Sequence, residues 1–69
     1  MKRRLGVAEW RKILGETQTE VAEKMGIHPN TWREYEKNPA TMRIGTLLKF
    51  CSIYGIKINE IMLFDANVE

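Results

Sequence analysis

Apolar residues recur along the chain with the spacing of helices, and segments that contain glycine or proline separate these runs. Residues 7–14 (VAEWRKIL) have one apolar face and are followed by Gly15. This pattern predicts a first helix that ends at the glycine, because glycine readily adopts the left-handed conformation that closes a helix. The apolar positions of this helix are Val7, Trp10, Ile13 and Leu14.

The second predicted helix begins at a capping box. Thr17 stands three residues before Glu20, so the threonine hydroxyl can accept from the Glu20 amide while the Glu20 carboxylate accepts from the Thr17 amide. Gly26 then supplies the left-handed residue that a tight turn needs. Between them lies an apolar stripe of Val21, Ala22 and Met25.

The third predicted helix begins after His28, with Pro29 at its first position, where proline sacrifices no hydrogen bond. Trp32 and Tyr35 are three residues apart and therefore share a face of this helix. Pro39 prevents the helix from continuing.

Residues 17–36 (TQTEVAEKMGIHPNTWREYE) therefore predict two short helices joined by a tight turn, a helix-turn-helix. The second helix of such a pair can lie in the major groove of DNA. A fourth helix is expected at Ile44–Tyr54, closed by Gly55, and a short fifth helix at about 59–64. The apolar face of the fourth helix is predicted to be Ile44, Leu47, Leu48, Cys51 and Tyr54.

The length of 69 residues predicts one all-α domain, 1–69, with a basic arm at 1–6 and a frayed tail at 65–69. Cys51 is the single cysteine and His28 the single histidine, so we expect no disulfide, no metal site and no cofactor. No run is apolar enough for a membrane span or a signal peptide. The expected location is the bacterial cytosol, in association with the nucleoid.

Charge is distributed unevenly along the chain. Residues 1–12 carry five basic and one acidic residue, whereas residues 13–36 carry two basic and five acidic residues. A net negative helix-turn-helix is unusual in a module that binds phosphates. The charge pattern therefore leaves a protein partner open as an alternative to DNA.

The run TQTEVAEKMGIHPNTWREYEKN, with LLKFCSIYGIKINEI after it, resembles the lambda-repressor-like (Cro/repressor) helix-turn-helix family. The resemblance covers roughly residues 7–63. It implies a compact five-helix domain whose helices 2 and 3 form the helix-turn-helix, and it implies binding of double-stranded operator DNA as a two-fold dimer. It also implies an ion pair between Arg11 and Glu36.

The resemblance implies a double role for Gln18 at the start of helix 2: its amide bonds a phosphate and braces the tip of helix 3. An ordinary exposed glutamine is the alternative. The expected DNA-binding residues are Gln18, His28, Asn30, Thr31, Arg33, Glu34, Lys37 and Arg43. By their chemistry, Asn30 suits adenine and Arg33 suits guanine or phosphate. Glu34 could accept from a cytosine amino group or could repel phosphates, and His28 could simply cap its helix.

The chain departs from the family pattern at several positions. Pro29 stands where relatives often have a polar side chain that reads a base. Glu16 replaces an apolar residue before helix 2, and we expect Leu14 to fill that space. The loop after helix 3 offers only Lys37 and Arg43 as cations.

Three classes of function follow from these observations. The first is a regulator of transcription of the Cro/repressor type, from a phage or prophage. The second is a protein-binding modulator, an anti-repressor or co-repressor that contacts a repressor protein through the acidic helix-turn-helix surface. An enzyme is not expected, because the sequence lacks a nucleophile–base pair and a phosphate loop.

A homodimer is expected if operator DNA is the target, because paired half-sites match a two-fold symmetric protein. The expected contact is the apolar run Ile61, Met62, Leu63 and Phe64. The alternative is that this run packs into the core of its own chain.

Overall fold

The computed structural model describes residues 5–61. Four α-helices occupy most of this range, and we number them α1 to α4 along the chain. They are α1 Val7–Ile13, α2 Gln18–Met25, α3 Pro29–Lys37 and α4 Ile44–Tyr54, with 3₁₀ turns at Pro39–Thr41 and Ile58–Glu60. The all-α fold class, with α2 and α3 as the helix-turn-helix, is confirmed.

The start of α2 has the predicted capping box. Thr17 Oγ1 accepts from the Glu20 amide at 3.0 Å, and Glu20 Oε1 accepts from the Thr17 amide at 2.7 Å. These two bonds satisfy amides that have no partner within the helix. The local sequence alone therefore defines where α2 begins.

The turn between α2 and α3 forms at Gly26, whose φ of 71° is in the left-handed region. Lys49 reaches this turn from α4 and donates from Nζ to the Met25 carbonyl at 2.9 Å. A cation at a helix C-terminus also interacts favourably with the helix dipole. Thus α4 stabilises the turn that sets the angle between α2 and α3.

Trp32 of α3 lies at the centre of the core and is fully buried. The Phe50 ring stacks on it with centroids 5.3 Å apart, and Tyr54 packs against Phe50 at 5.0 Å. Tyr35 contacts Trp32 edge-on at 6.2 Å. Val21, Ala22 and Met25 of α2 are buried as predicted, and Met42, before α4, joins the core, whereas Tyr35 is partly buried.

The predicted apolar face of α4 was partly wrong. Leu47 and Cys51 are buried, but Ile44 and Leu48 are 64% and 50% exposed. Phe50, which the pattern did not select, is fully buried instead. Relative to the predicted face, α4 is rotated about its axis so that Phe50 packs against Trp32. An aromatic ring buries more surface than an aliphatic side chain, which favours this orientation.

The predicted face of α1 was also partly wrong. Val7 is fully buried and Trp10 packs against the core, but Ile13 is 63% exposed. Leu14 is exposed too, so it does not fill the space beside Glu16. The helix ends at Ile13, and its last turn lies beyond the core.

The carboxylate of Glu16 has its own partners. It accepts from Lys24 Nζ and from the Tyr54 hydroxyl, the latter at 3.1 Å. Burial, together with this neighbouring carboxylate, raises the pKa of Tyr54 to about 12. The polar substitution before α2 therefore links α2 to the end of α4 through a hydrogen bond and an ion pair.

The two ends of the described chain meet. The Glu60 carbonyl accepts from the Leu5 amide at 3.0 Å and from Trp10 Nε1 at 2.9 Å. Ile61 pairs with Leu5 as a β-bridge and is buried. The described part of the predicted fifth helix is a 3₁₀ turn at Ile58–Glu60; the rest of it, the arm at 1–4 and the tail lie outside the described residues.

We expect Gly26→Val to lower the free energy of unfolding by about 2 kcal/mol, since a β-branched residue disfavours the left-handed region. A Cβ at this position would lie 3.8 Å from Lys49 Nζ, an ordinary contact, so the cost comes from the backbone conformation. Urea denaturation would measure it. The control is Gly45→Val on α4, where a Cβ meets nothing within 4 Å. An equal loss in both variants would contradict the prediction.

Candidate nucleic-acid interface

A single carboxylate, that of Glu36 near the end of α3, connects α1, α2 and α3. Arg11 of α1 donates to it through Nε at 2.6 Å and through Nη2 at 3.3 Å. Gln18 at the start of α2 donates through Nε2 at 2.9 Å, and Trp32 donates through Nε1 at 2.5 Å. The Arg11–Glu36 ion pair is confirmed.

Glu36 is held in its ionised form. Its side chain is 8% exposed, and that of Arg11 is 13% exposed. Burial alone would raise the pKa of Glu36, but the hydrogen bonds it accepts, from Arg11 first, lower the pKa below its ordinary value of 4.5. The carboxylate is therefore an acceptor at neutral pH, and every group around it must donate.

Arg11 also fixes the entry into α2. Its Nη1 donates to the backbone carbonyl of Glu16 at 2.9 Å, just before the capping box. The same guanidinium thus holds the α1–α2 connection and the end of α3. Since Gln18 is the first residue of α2, its position relative to α3 is set by these bonds.

Three of the predicted DNA-binding residues form a connected group on the surface. Arg33 donates from Nη1 to Asn30 Oδ1 at 2.5 Å and from Nε to Gln18 Oε1 at 3.2 Å. Gln18 in turn donates to Glu36. The surface group is therefore joined to the ion pair beneath it.

An open surface groove of about 500 Å³ lies along this group. Its lining residues are Ala8, Gln18, Asn30, Arg33, Glu34, Glu36 and Lys37. Five of the eight predicted DNA-binding residues line it. Arg33 and Lys37 supply positive charge, and Glu34 supplies the negative charge that is most exposed to the groove.

The remaining predicted residues lie around the two ends of α3. His28 is the N-cap: its Nδ1 accepts from the Asn30 amide at 3.0 Å. Thr31 is exposed one turn into the helix, and Arg43 is exposed immediately before α4. The structure does not bring these three side chains into the groove.

The sequence pattern missed some of the contacts that organise this surface. Trp32 and Glu36 are one helical turn apart, a spacing that could have predicted their hydrogen bond. Asn30 and Arg33 have the i, i+3 spacing, which could have predicted theirs. The bond between Gln18 and Glu36 joins two helices, so no local pattern indicates it.

The described residues contain no group of three or more histidine, cysteine, aspartate or glutamate side chains that could hold a metal ion. Within the same range, the helices are all too short and too polar to cross a membrane. The side chains that line the groove, apart from Ala8, are hydrogen-bonding or charged groups.

The family model of the Cro/C1-type HTH DNA-binding domain matches residues 10–67, which is most of the chain. The matched range includes α2, α3 and α4 and the whole groove except Ala8. No curated protein and no solved structure matches the chain significantly.

We expect Glu36→Gln to lower the free energy of unfolding by about 3 kcal/mol, because it strands the charge of Arg11 and places an amide among donors. The folded-state pKa is depressed, so the carboxylate stabilises the fold above pH 4.5, and this contribution is lost as the pH falls through the folded value. The gap between wild type and variant should therefore narrow below pH 4.5 in urea denaturation.

The matched control for this experiment is Glu34→Gln, an exposed glutamate on the same helix. It should change the stability by less than about 0.5 kcal/mol. A gap between wild type and Glu36→Gln that stays constant with pH would contradict the ionised state of Glu36.

Proposed function

Because the chain belongs to the family of Cro/C1-type HTH DNA-binding domains, we propose that it is a transcriptional regulator of the Cro/repressor type. In this proposal α3 lies in the major groove of operator DNA. The observation that carries the proposal is the polar, exposed side of α3 next to the start of α2. A ligand that contacts this groove meets side chains from both helices.

The phosphate contacts are assigned to Gln18, Lys37 and Arg43. Gln18 lies at the N-terminus of α2, where backbone amides and the helix dipole favour an anion. Lys37 and Arg43 are exposed cations at the end of α3 and before α4. These contacts set the position of the protein on the duplex without reading its sequence.

The base contacts are assigned to Asn30 and Arg33, which are exposed on the groove side of α3. His28 and Thr31 contribute contacts near the start of α3, where His28 Nε2 is the atom that can meet a phosphate. Pro29 offers no hydrogen-bond donor, so few side chains of α3 are able to contact base edges. Glu34 restricts it further by repelling phosphates or by accepting from cytosine.

We place the protein on operator DNA as a two-fold dimer, since a single short reading helix covers few base pairs. Ile61 belongs to the core of its own chain and is buried. Met62, Leu63 and Phe64 lie outside the described residues, and the dimer contact is assigned to them on their apolar sequence.

A second candidate is the protein-binding modulator that contacts a repressor. Glu34 favours it, because an exposed carboxylate lines the groove where phosphates would approach. The two candidates predict opposite effects of a charge reversal at this position.

Binding to duplex DNA selected from a random pool should weaken with salt, since each phosphate contact releases counterions. Lys37→Gln should make the slope of log K against log salt shallower by about 1. The control is Lys57→Gln, the same change at an exposed lysine that does not line the groove, and it should leave the slope unchanged. A wild-type affinity that does not vary with salt would reject the proposal.

Glu34→Lys should increase affinity for the same duplex about fivefold at low salt, because a repulsive charge becomes an attractive one. Glu23→Lys is the matched control, since Glu23 is exposed on α2 outside the groove. Fluorescence anisotropy would measure both affinities. If Glu34→Lys binds DNA no better than Glu23→Lys, the modulator becomes the better candidate.

A further inference from the structure

The side chain of Asn30 already uses its oxygen in a bond within the protein. Its Oδ1 accepts from Arg33 Nη1 at 2.5 Å, a short charge-assisted bond within one turn of α3. Reading adenine requires an amide that donates to N7 and accepts from N6 with the same side chain. Here Oδ1 is turned toward the Arg33 guanidinium, which takes one of its two lone pairs, and Nδ2 has no partner among residues 5–61.

The orientation of Asn30 follows from charge. Rotating its amide by 180° would place Nδ2, a donor, at 2.5 Å from the Arg33 guanidinium, which also only donates. The guanidinium therefore fixes which end of Asn30 points outward. An exposed asparagine alone would turn freely between the two orientations.

Gln18 holds Arg33 in this position, and Glu36 fixes the orientation of Gln18. The carboxylate of Glu36 accepts from Gln18 Nε2 at 2.9 Å, so Gln18 Oε1 must point away from it. That oxygen accepts from Arg33 Nε at 3.2 Å. Reversing the Gln18 amide would set an acceptor against the carboxylate and a donor against the guanidinium.

A chain of hydrogen bonds thus connects the buried carboxylate to the surface, and each bond fixes the orientation of the next side chain. Each link alternates acceptor and donor: Glu36, Gln18, Arg33 and Asn30. What remains for a ligand at the outer end is Asn30 Nδ2 and Arg33 Nη2, and neither has an acceptor among residues 5–61. Both atoms are donors.

We propose that Asn30 and Arg33 act together as a two-donor reader that selects guanine, whose O6 and N7 are both acceptors in the major groove. This is an alternative to the expectation that Asn30 reads adenine. The inference rests on the proposed function, and it names Gln18 and Glu36 as positioning residues that determine base preference without touching a base. Arg33 therefore contacts a base itself and also fixes the orientation in which Asn30 contacts a base.

The test is selection of bound duplexes from a random-sequence pool, followed by anisotropy with the selected duplex and with single G-to-A changes in it. Wild type should require guanine at one base pair in each half-site, and replacing that guanine by adenine should weaken binding about tenfold or more. Arg33→Met removes the donors and releases Asn30 Oδ1. It should therefore prefer adenine at the same base pair.

The matched control is Lys37→Met, which removes one positive charge from the same helix. It should weaken binding to both duplexes by the same factor and keep the guanine preference. Asn30→Ala gives a second measurement that does not depend on Arg33→Met: it should retain guanine, because Arg33 still donates. Thermal melting of each variant checks that it is folded.

A wild-type preference for adenine at the base pair that Asn30→Ala affects would overturn the inference and leave the proposed DNA binding intact. Loss of all preference in Asn30→Ala would also overturn it. Failure of the wild type to enrich any sequence would reject the proposed function itself, and with it the two-donor reader.

Discussion

The Glu36 carboxylate is the constraint on which the rest of this molecule depends. It is nearly buried, yet it stays ionised because donors from α1, α2 and α3 surround it. A buried charge is costly unless its hydrogen bonds are complete, so each of those donors is held in place. Removing any one of them would leave the carboxylate short of a partner. The mutual position of the three helices therefore depends on this site.

The same carboxylate connects the scaffold to the surface that we propose for DNA binding. Gln18 is bonded to Glu36 on one side and to Arg33 on the other. In a network of this kind each side chain is oriented by its neighbour. The buried acceptor therefore determines which donor and acceptor atoms the outer side chains use within the protein. Arg33 and Asn30 consequently have fixed orientations before a ligand arrives. An ordered reading surface loses less side-chain entropy on binding.

Three of the five glutamates in residues 13–36 have hydrogen-bond partners within the fold. Glu36 pairs with Arg11, Glu16 binds Lys24 and Tyr54, and Glu20 completes the capping box. Arg11 lies outside this segment, so its pairing with Glu36 makes the segment less negative than its own residues indicate. Glu34 is the glutamate of this segment that lines the groove with its charge exposed. It is therefore the position at which negative charge on the protein would act directly on the binding of DNA phosphates.

The sequence by itself determined the local features: the capping box at Thr17, the left-handed turn at Gly26 and the proline start of α3. Each depends on residues a few positions apart, which is why the local pattern sufficed. The resemblance to a known family added the Arg11–Glu36 pair, and the DNA contacts of the individual side chains stay predictions. Only the tertiary structure decided the rotation of α4, which buries Phe50 and exposes Ile44, and the use of the Asn30 oxygen by Arg33. These outcomes depend on which groups meet across helices, because packing and hydrogen-bond partners compete in three dimensions.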